Sequence, residues 1–218
     1  MEIQNVEIKW LGHSSILIKN SAIIYIDPYN INPQEKADII LITHDHYDHC
    51  SIEDIKKIIK KGTVIITVPC CQSKITRLDD VTLELVEPGD EVKVWSIRID
   101  ITPAYNIEKD FHLRGDGVGY VIKVDKVIIY HAGDTDVIPE MEKLTGYGKE
   151  KNEFIALLPI GGNFTMNVEQ AVIAAEIIKP RIVIPMHYGS ITGTLEDAER
   201  FLKLCKEKGI NAELLTKE

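Results

Sequence analysis

Three apolar stretches of strand length in this chain each run straight into ionisable residues. ADIILIT (37–43) leads into the word THDHYDHC (43–50), KVIIYHAGD (126–134) ends on His131 and Asp134, and RIVIP (181–185) continues into Met186-His187-Tyr188-Gly189. An almost unbroken apolar run is what a strand buried on both faces looks like. The carboxyl ends of such strands are where α/β folds assemble their sites. The pattern therefore predicts an α/β chain with several buried strands that converge on one polar rim.

The rest of the sequence fills in around them. Runs at 6–11, 15–20 and 22–27 predict an antiparallel meander, with Asn20-Ser21 as a turn. Ser51 and Asp54 make an S-x-x-D box, which predicts a helix from near Ile52 to Gly62. A strand is expected at 63–68, alternating segments at 81–102, and GVGYVIKV (117–124) as the hairpin partner of KVIIYHAGD. Helical patterns cover 136–145 and 168–179, the latter led by Asn167 and closed by Pro180. Thr194 and Asp197 box a last helix, and AELLT (212–216) predicts a closing strand. With no low-complexity linker or break in composition, residues 1–218 read as one domain.

Charge narrows the partners. Against 34 acidic residues stand 25 Lys and Arg, a net charge of −9 that repels phosphate backbones and anionic membranes. The run KKIIKK (56–61) is spaced like the wet side of a helix whose isoleucines face inward. Apolar runs such as IIYI and IILI fall far short of the roughly 20 residues that span a bilayer. Cys50, Cys70, Cys71 and Cys205 form no C-x-x-C pair, and MEIQNVEIKW has neither a cationic n-region nor an apolar h-region, so a reduced cytoplasmic location is expected. The expected partner is a small-molecule substrate rather than nucleic acid or membrane; a homo-oligomer is left open.

Within the cluster, an extended backbone would send His44, His46 and Asp48 to one side and His49 to the other, so one segment could face two metal positions. Imidazole and carboxylate are usual ligands of zinc, and a set without cysteine suits a catalytic site better than a closed structural one. Without a cation, so many ionisable groups would compete for protons. His13, in LGHSS, reads as a hydrogen-bonded core histidine.

These words carry a resemblance. HDHYDH (44–49) matches the H-x-H-x-D-H signature of the metallo-β-lactamase superfamily, AGDT (132–135) its later aspartate motif and PMHY (185–188) its final histidine motif. The chain looks closest to the small single-domain metal-dependent hydrolases related to ascorbate-6-phosphate lactonase, which carry YHAGDT, LPIGGNF and PMHYG much as they stand here. The match runs from the first strand to about residue 192. It implies a four-layer αββα sandwich of the metallo-β-lactamase type with two divalent ions at one rim. His44 and His46 would bind the first, Asp48, His49 and His187 the second, and Asp134 both. Zinc is expected, although the same ligands accept manganese or iron.

One departure stands out. The family usually supplies a further histidine from a TPAxH word, and here TPAYN (102–106) places Asn106 there. Asn106 could bind through its amide oxygen, the first ion could be loosely held, or His112 in FHLRGDG could reach in instead; we favour His112, since imidazole is the better zinc ligand. His131 reads as a group behind a ligand. The glycine pair of PIGGNFTM (159–166) could offer backbone N–H groups near the site, with Asn163 as a substrate donor, or be an ordinary turn.

The expected activity is hydrolysis of a small ester, lactone or phosphodiester by a hydroxide shared between two ions, with Asp48 orienting it and taking its proton. Three alternatives remain: a metal-dependent binding or sensing module impaired by Asn106, a nuclease, which charge disfavours, and a redox di-iron role, whose relatives usually place Glu where His46 stands.

Overall fold

Alternation decides which face each early strand buries. In β2 (Val6–Gly12), Val6, Ile8 and Trp10 are buried while Glu7 and Lys9 are less so, the period-2 pattern of a strand with one wet face. β1 (Glu2–Ile3), β2, β3 (Ser15–Lys19) and β4 (Ile23–Ile26) pair antiparallel, as the meander requires. β5 (Ile39–Ile42) and β6 (Thr63–Thr67) then join in parallel, β5 being buried along its whole length. β7 (Val81–Leu85) completes a seven-stranded sheet whose spatial order follows the sequence. α1 (Ile52–Ile58) links β5 to β6, and a 3-10 turn with α2 (Gln72–Ile75) links β6 to β7.

The second sheet holds six strands: β8 (Glu91–Val94), β9 (Ile97–Ala104), β10 (Gly117–Val124), β11 (Val127–His131), β12 (Glu153–Pro159) and β13 (Ile182–Met186). Its last three are parallel, so β11 and β13 end at the same side. α3 (Val168–Ile178) and α4 (Leu195–Glu207) pack together outside this sheet, giving the αββα order. Between the sheets, the Tyr120 hydroxyl donates to the carbonyls of Ile42 and Ile66 at 2.8 and 3.2 Å. This computed structural model describes residues 1–33, 35–148 and 152–218. No helix among the described residues is long and apolar enough to cross a membrane.

Four expectations need correction. The helix from Ile52 stops at Ile58, because Ile59 turns extended and Thr63 closes a turn on Lys60 that returns the chain to β6. The Asp54 carboxylate at its start does not complete the box; it accepts from the backbone N–H groups of Asn30 and Ile31 and pins that loop. In place of a helix over 136–145 there is a 3-10 helix, Pro139–Gly146, since Asp136 is held in extended chain by its N–H to the Tyr105 carbonyl. AELLT forms no strand: the tail touches each sheet at a single bridge, Ala212 against Val183 and Lys217 against Trp10, because it crosses between the sheets instead of running along either. The lysines of KKIIKK are exposed and Ile58 is buried, as expected of an outer helix face.

Candidate metal centre

β2, β4 and β5 point the same way in the first sheet, and their ends meet those of β11 and β13 across the sandwich. All seven histidines of the chain sit at this rim, and six of them belong to groups whose donor atoms lie within 4.8 Å of one another. The groups are His44, His46 and His112; His44, His49 and Asp134; and His13, Asp48, His49 and His187.

Asp27, fully buried at the end of β4, fixes the entry to the cluster. It accepts from the Thr43 N–H at 2.8 Å, the Thr43 hydroxyl at 2.7 Å and His49 Nδ1 at 2.8 Å. His49 Nε2 is thereby left facing the centre, where it has no hydrogen-bond partner. The chain does not stay extended after His46. Its carbonyl receives the N–H groups of His49 and Cys50, and this turn carries Asp48 away from His44 and His46 to stand beside His13, His49 and His187.

Asn106 and His112 are tied to each other. Asn106 Oδ1 accepts from the His112 N–H at 3.1 Å and faces His112 Nδ1 at 3.0 Å, while its amide nitrogen donates to the Phe164 carbonyl at 2.9 Å. Both ends of the amide are thus occupied. With Nδ1 facing only oxygens, the proton belongs there, and His112 Nε2 is turned to the centre, 3.2 Å from His46 Nδ1 and 3.4 Å from Asp134 Oδ2. Groups that fix the tautomer of a ligating histidine are worth about 10- to 100-fold in metal affinity. Asn106→Ala is accordingly expected to weaken binding of one zinc ion by about that factor in a competitive chelator titration; unchanged affinity would remove Asn106 from this role.

Asp134 stands in the middle. Its Oδ2 lies 3.0 Å from His187 Nε2, 3.4 Å from His49 and His112 Nε2 and 4.0 Å from His44 Nε2. Two ligands each about 2.1 Å from one zinc ion at tetrahedral angles are about 3.4 Å apart, so these spacings suit shared coordination. Asp134 Oδ1 and His49 Nε2 are buried without hydrogen-bond partners, and three imidazole nitrogens crowd one another at 3.1–3.2 Å. A cation satisfies all of these donors at once.

Electrostatics point the same way. Burial opposes charge on both partners, yet Asp134 and Asp27 hold His49 well above the usual imidazole range, and His187 and His49 hold Asp134 well below the carboxylate range. Burial, with His49 alongside, pushes His44 well down; burial also lowers His112 and His13. The neutral imidazole that a metal needs is thus favoured at those three positions.

Two residues escaped the sequence reading. His13, taken for a core histidine, is buried and hydrogen-bonded, but its Nε2 meets Asp48 Oδ2 at 2.9 Å and its Nδ1 meets Ser190 Oγ at 3.1 Å. Asp27 had no assigned role. Each follows an apolar strand, β2 or β4, as His44 follows β5, which is the signal that could have found them. His131 spends both ring nitrogens on the backbone, Nε2 on the Ser14 carbonyl and Nδ1 on the Gly133 N–H. The N–H groups of Gly162 and Asn163 are also spent, on the Met166 and Gly161 carbonyls, so they are not offered to a ligand. Gly161 serves by having no side chain: a Cβ there would stand 2.5 Å from Thr192 Cγ2 and 2.7 Å from the His187 carbonyl.

The cluster opens into a cleft of about 240 Å³ walled by Tyr47, Phe111, Phe164 and Ile191. A larger cavity of about 650 Å³, lined by Thr102, Tyr130 and Tyr147 among others, touches none of the donors.

The chain is similar to known proteins over nearly its whole length. The sequence model of the beta-lactamase superfamily domain matches residues 7–187. A metal-dependent hydrolase of Archaeoglobus fulgidus is 33% identical over 96% of this chain and 95% of its own length. Among solved structures, a protein of Parabacteroides distasonis is 31% identical with a TM-score of 0.83, covering 97% of this chain and 94% of that one. A metallo hydrolase of the archaeon Ignicoccus hospitalis is 26% identical with a TM-score of 0.77, covering 97% and 95%.

Proposed function

This chain belongs to the metallo-β-lactamase superfamily, and we propose that it is a metal-dependent hydrolase working with two divalent ions, zinc first, on a small ester, lactone or phosphodiester. The observation that carries the reading is Asp134 Oδ2, which faces imidazoles of both donor sets at 3.0–4.0 Å. His44, His46 and His112 would hold one ion, Asp48, His49 and His187 the other, and Asp134 both.

Bound divalent ions supply a water acidified to a pKa near 7 and polarise the bond under attack. The chain's own residues do the rest. Asp48, whose carboxylate His13 holds below its usual range against burial, orients the attacking water and receives its proton. Asp27 and Asn106 keep His49 and His112 in the right tautomer from behind. Tyr47, Phe111 and Phe164 shield the reacting bond from bulk solvent on the cleft side.

His112 Nε2, facing His46 and Asp134, supports a competent site over an impaired one. A nuclease is disfavoured because the cleft lining includes no Lys or Arg and the chain carries −9. Metal analysis after zinc loading should give two equivalents per chain, and a lactone, thioester and phosphodiester panel should show turnover. One equivalent or none, without turnover, would favour a binding module instead. Asp48→Ala is expected to lower kcat by about 10²–10⁴-fold with the circular dichroism spectrum preserved; an undiminished rate would refute its role.

A further inference from the structure

Among the described residues, the lining of the cleft over the candidate ions includes no lysine or arginine to offer a charged substrate. The side chains around it are histidines, two aspartates, Tyr47, Phe111, Phe164 and Ile191. The nearest basic groups in sequence are already engaged: Lys74 with the Asp45 carbonyl and carboxylate, Lys109 with Asp136 and the Thr165 carbonyl, Arg114 with Glu140 at 2.7 Å. A phosphate or carboxylate on the substrate, away from the bond being cut, would meet no basic partner there.

Apolar surface, in contrast, is plentiful and unburied. Tyr47 is 65% exposed and Phe111 55%, although both border a buried polar cluster. They are not loose side chains. Phe111 packs edge-on against Phe164 with centroids 4.7 Å apart, and Tyr47 packs edge-on against Tyr29 at 5.9 Å. The first pair is tied to the donor set, since Phe111 precedes His112 and the Phe164 carbonyl faces His112 Nδ1 at 3.2 Å. Two preformed aromatic walls thus flank the donors, one by His112 and one by Asp48. At about 240 Å³ the space between is smaller than the roughly 300–1,000 Å³ usual for drug-sized ligands, which suits a phenyl ring or a short alkyl chain.

We infer that the substrate is an uncharged ester or lactone whose small apolar acyl or aryl group seats between the Phe111–Phe164 and Tyr29–Tyr47 walls, with its carbonyl over the donor cluster. This rests on the hydrolase reading and narrows it. The reaction forms a bond from the water oxygen to the carbonyl carbon and breaks the bond to the alkoxy oxygen, which leaves with the proton first taken by Asp48.

The test separates the two claims. Zinc-loaded protein is titrated by calorimetry with acetohydroxamate, benzohydroxamate, hexanohydroxamate and the negatively charged succinyl hydroxamate, and is assayed in parallel with 4-nitrophenyl acetate, hexanoate and hemisuccinate. Each buried methylene is worth roughly three- to fourfold in affinity, so benzo- and hexanohydroxamate are expected to bind at least about tenfold tighter than the acetyl compound, and the succinyl compound no tighter than it. Phe111→Ser should erase most of that preference, weakening benzo- and hexanohydroxamate binding by a larger factor than acetohydroxamate binding; an equal loss for all three would show that the wall only supports the donors. Equal affinities, or tighter binding of the succinyl compound, would overturn the inference even if esters are hydrolysed. The expected binding order without turnover of these esters would leave the apolar cleft standing and overturn the ester or lactone assignment, while the hydrolase reading falls only if the phosphodiester and thioester panel is silent as well. Absence of all hydroxamate binding would overturn both.

Discussion

Asp134→Ala is expected to lose both zinc ions and to lower kcat/KM by at least about 10³-fold, a loss of the order that removing a group essential to metal-assisted hydrolysis brings. Among the described residues its Oδ2 is the one carboxylate oxygen placed within 4.0 Å of four imidazole Nε2 atoms, so no described neighbour can take over its charge. Inductively coupled plasma analysis of the dialysed variant checks the metal content; full zinc occupancy would refute the bridging role. The metal-free protein should suffer as well. Removing one partner of a buried ion pair costs about 3–5 kcal/mol, and Asp134 is paired with a buried His49. The pH dependence has a definite sign. His49 is raised above 6.5, so its share of this stability is complete below about pH 6.5 and is lost as pH rises through the higher folded value. Asp134 is lowered below 3.8, so its share is present above about pH 4 and is lost in stronger acid. The gap between wild type and variant, read from urea midpoints without metal, is therefore widest between about pH 4 and 6.5 and narrows at alkaline pH.

Asp27→Ala should be nearly as damaging although Asp27 belongs to none of the donor groups. Three buried donors, the Thr43 N–H and hydroxyl and His49 Nδ1, would lose their acceptor together. At about 1–3 kcal/mol for each unsatisfied group, partly relieved by relaxation, the loss is about 3–5 kcal/mol. Zinc affinity should fall about 10- to 100-fold because His49 is no longer held in its tautomer. Asp27→Asn should lie between, since an amide keeps one acceptor oxygen but turns an N–H toward one of the donors. A variant that unfolds at the wild-type urea concentration and binds zinc as tightly would show that the His49 loop is fixed by other contacts.

What could be read from the sequence, and what could not, follows the range of the interactions. β5, β11 and β13 were legible because a buried strand needs a local apolar run, and their ionisable ends were legible for the same reason. The turn after His46 was not, because alternation assumes an extended chain and two N–H groups close on one carbonyl here. His112 stood as one of three candidates, and the contacts that turn its ring toward the other donors come from Asn106, six residues away, and Phe164, 52 residues away. His13 and Asp27 were passed over because a single ionisable residue at a strand end looks like any satisfied core group until strand direction is known. AELLT has a strand's composition, but a strand also needs a ladder, and the tail finds only one bridging partner in each sheet.

That tail acts as a buckle. The Val183 N–H reaches the Asn211 carbonyl, the Glu213 N–H returns to the Val183 carbonyl, and the Glu218 N–H closes on the Trp10 carbonyl, so a few residues strap one half of the molecule to the other. Trp10 is itself seated under the rim, donating from its ring to the His13 carbonyl at 2.8 Å and stacking on Tyr188 at 4.7 Å. The strap therefore closes the margin where β2 and β13 lie, at the opposite end of both sheets from β7 and β8, and Trp10 carries its hold to within three residues of His13.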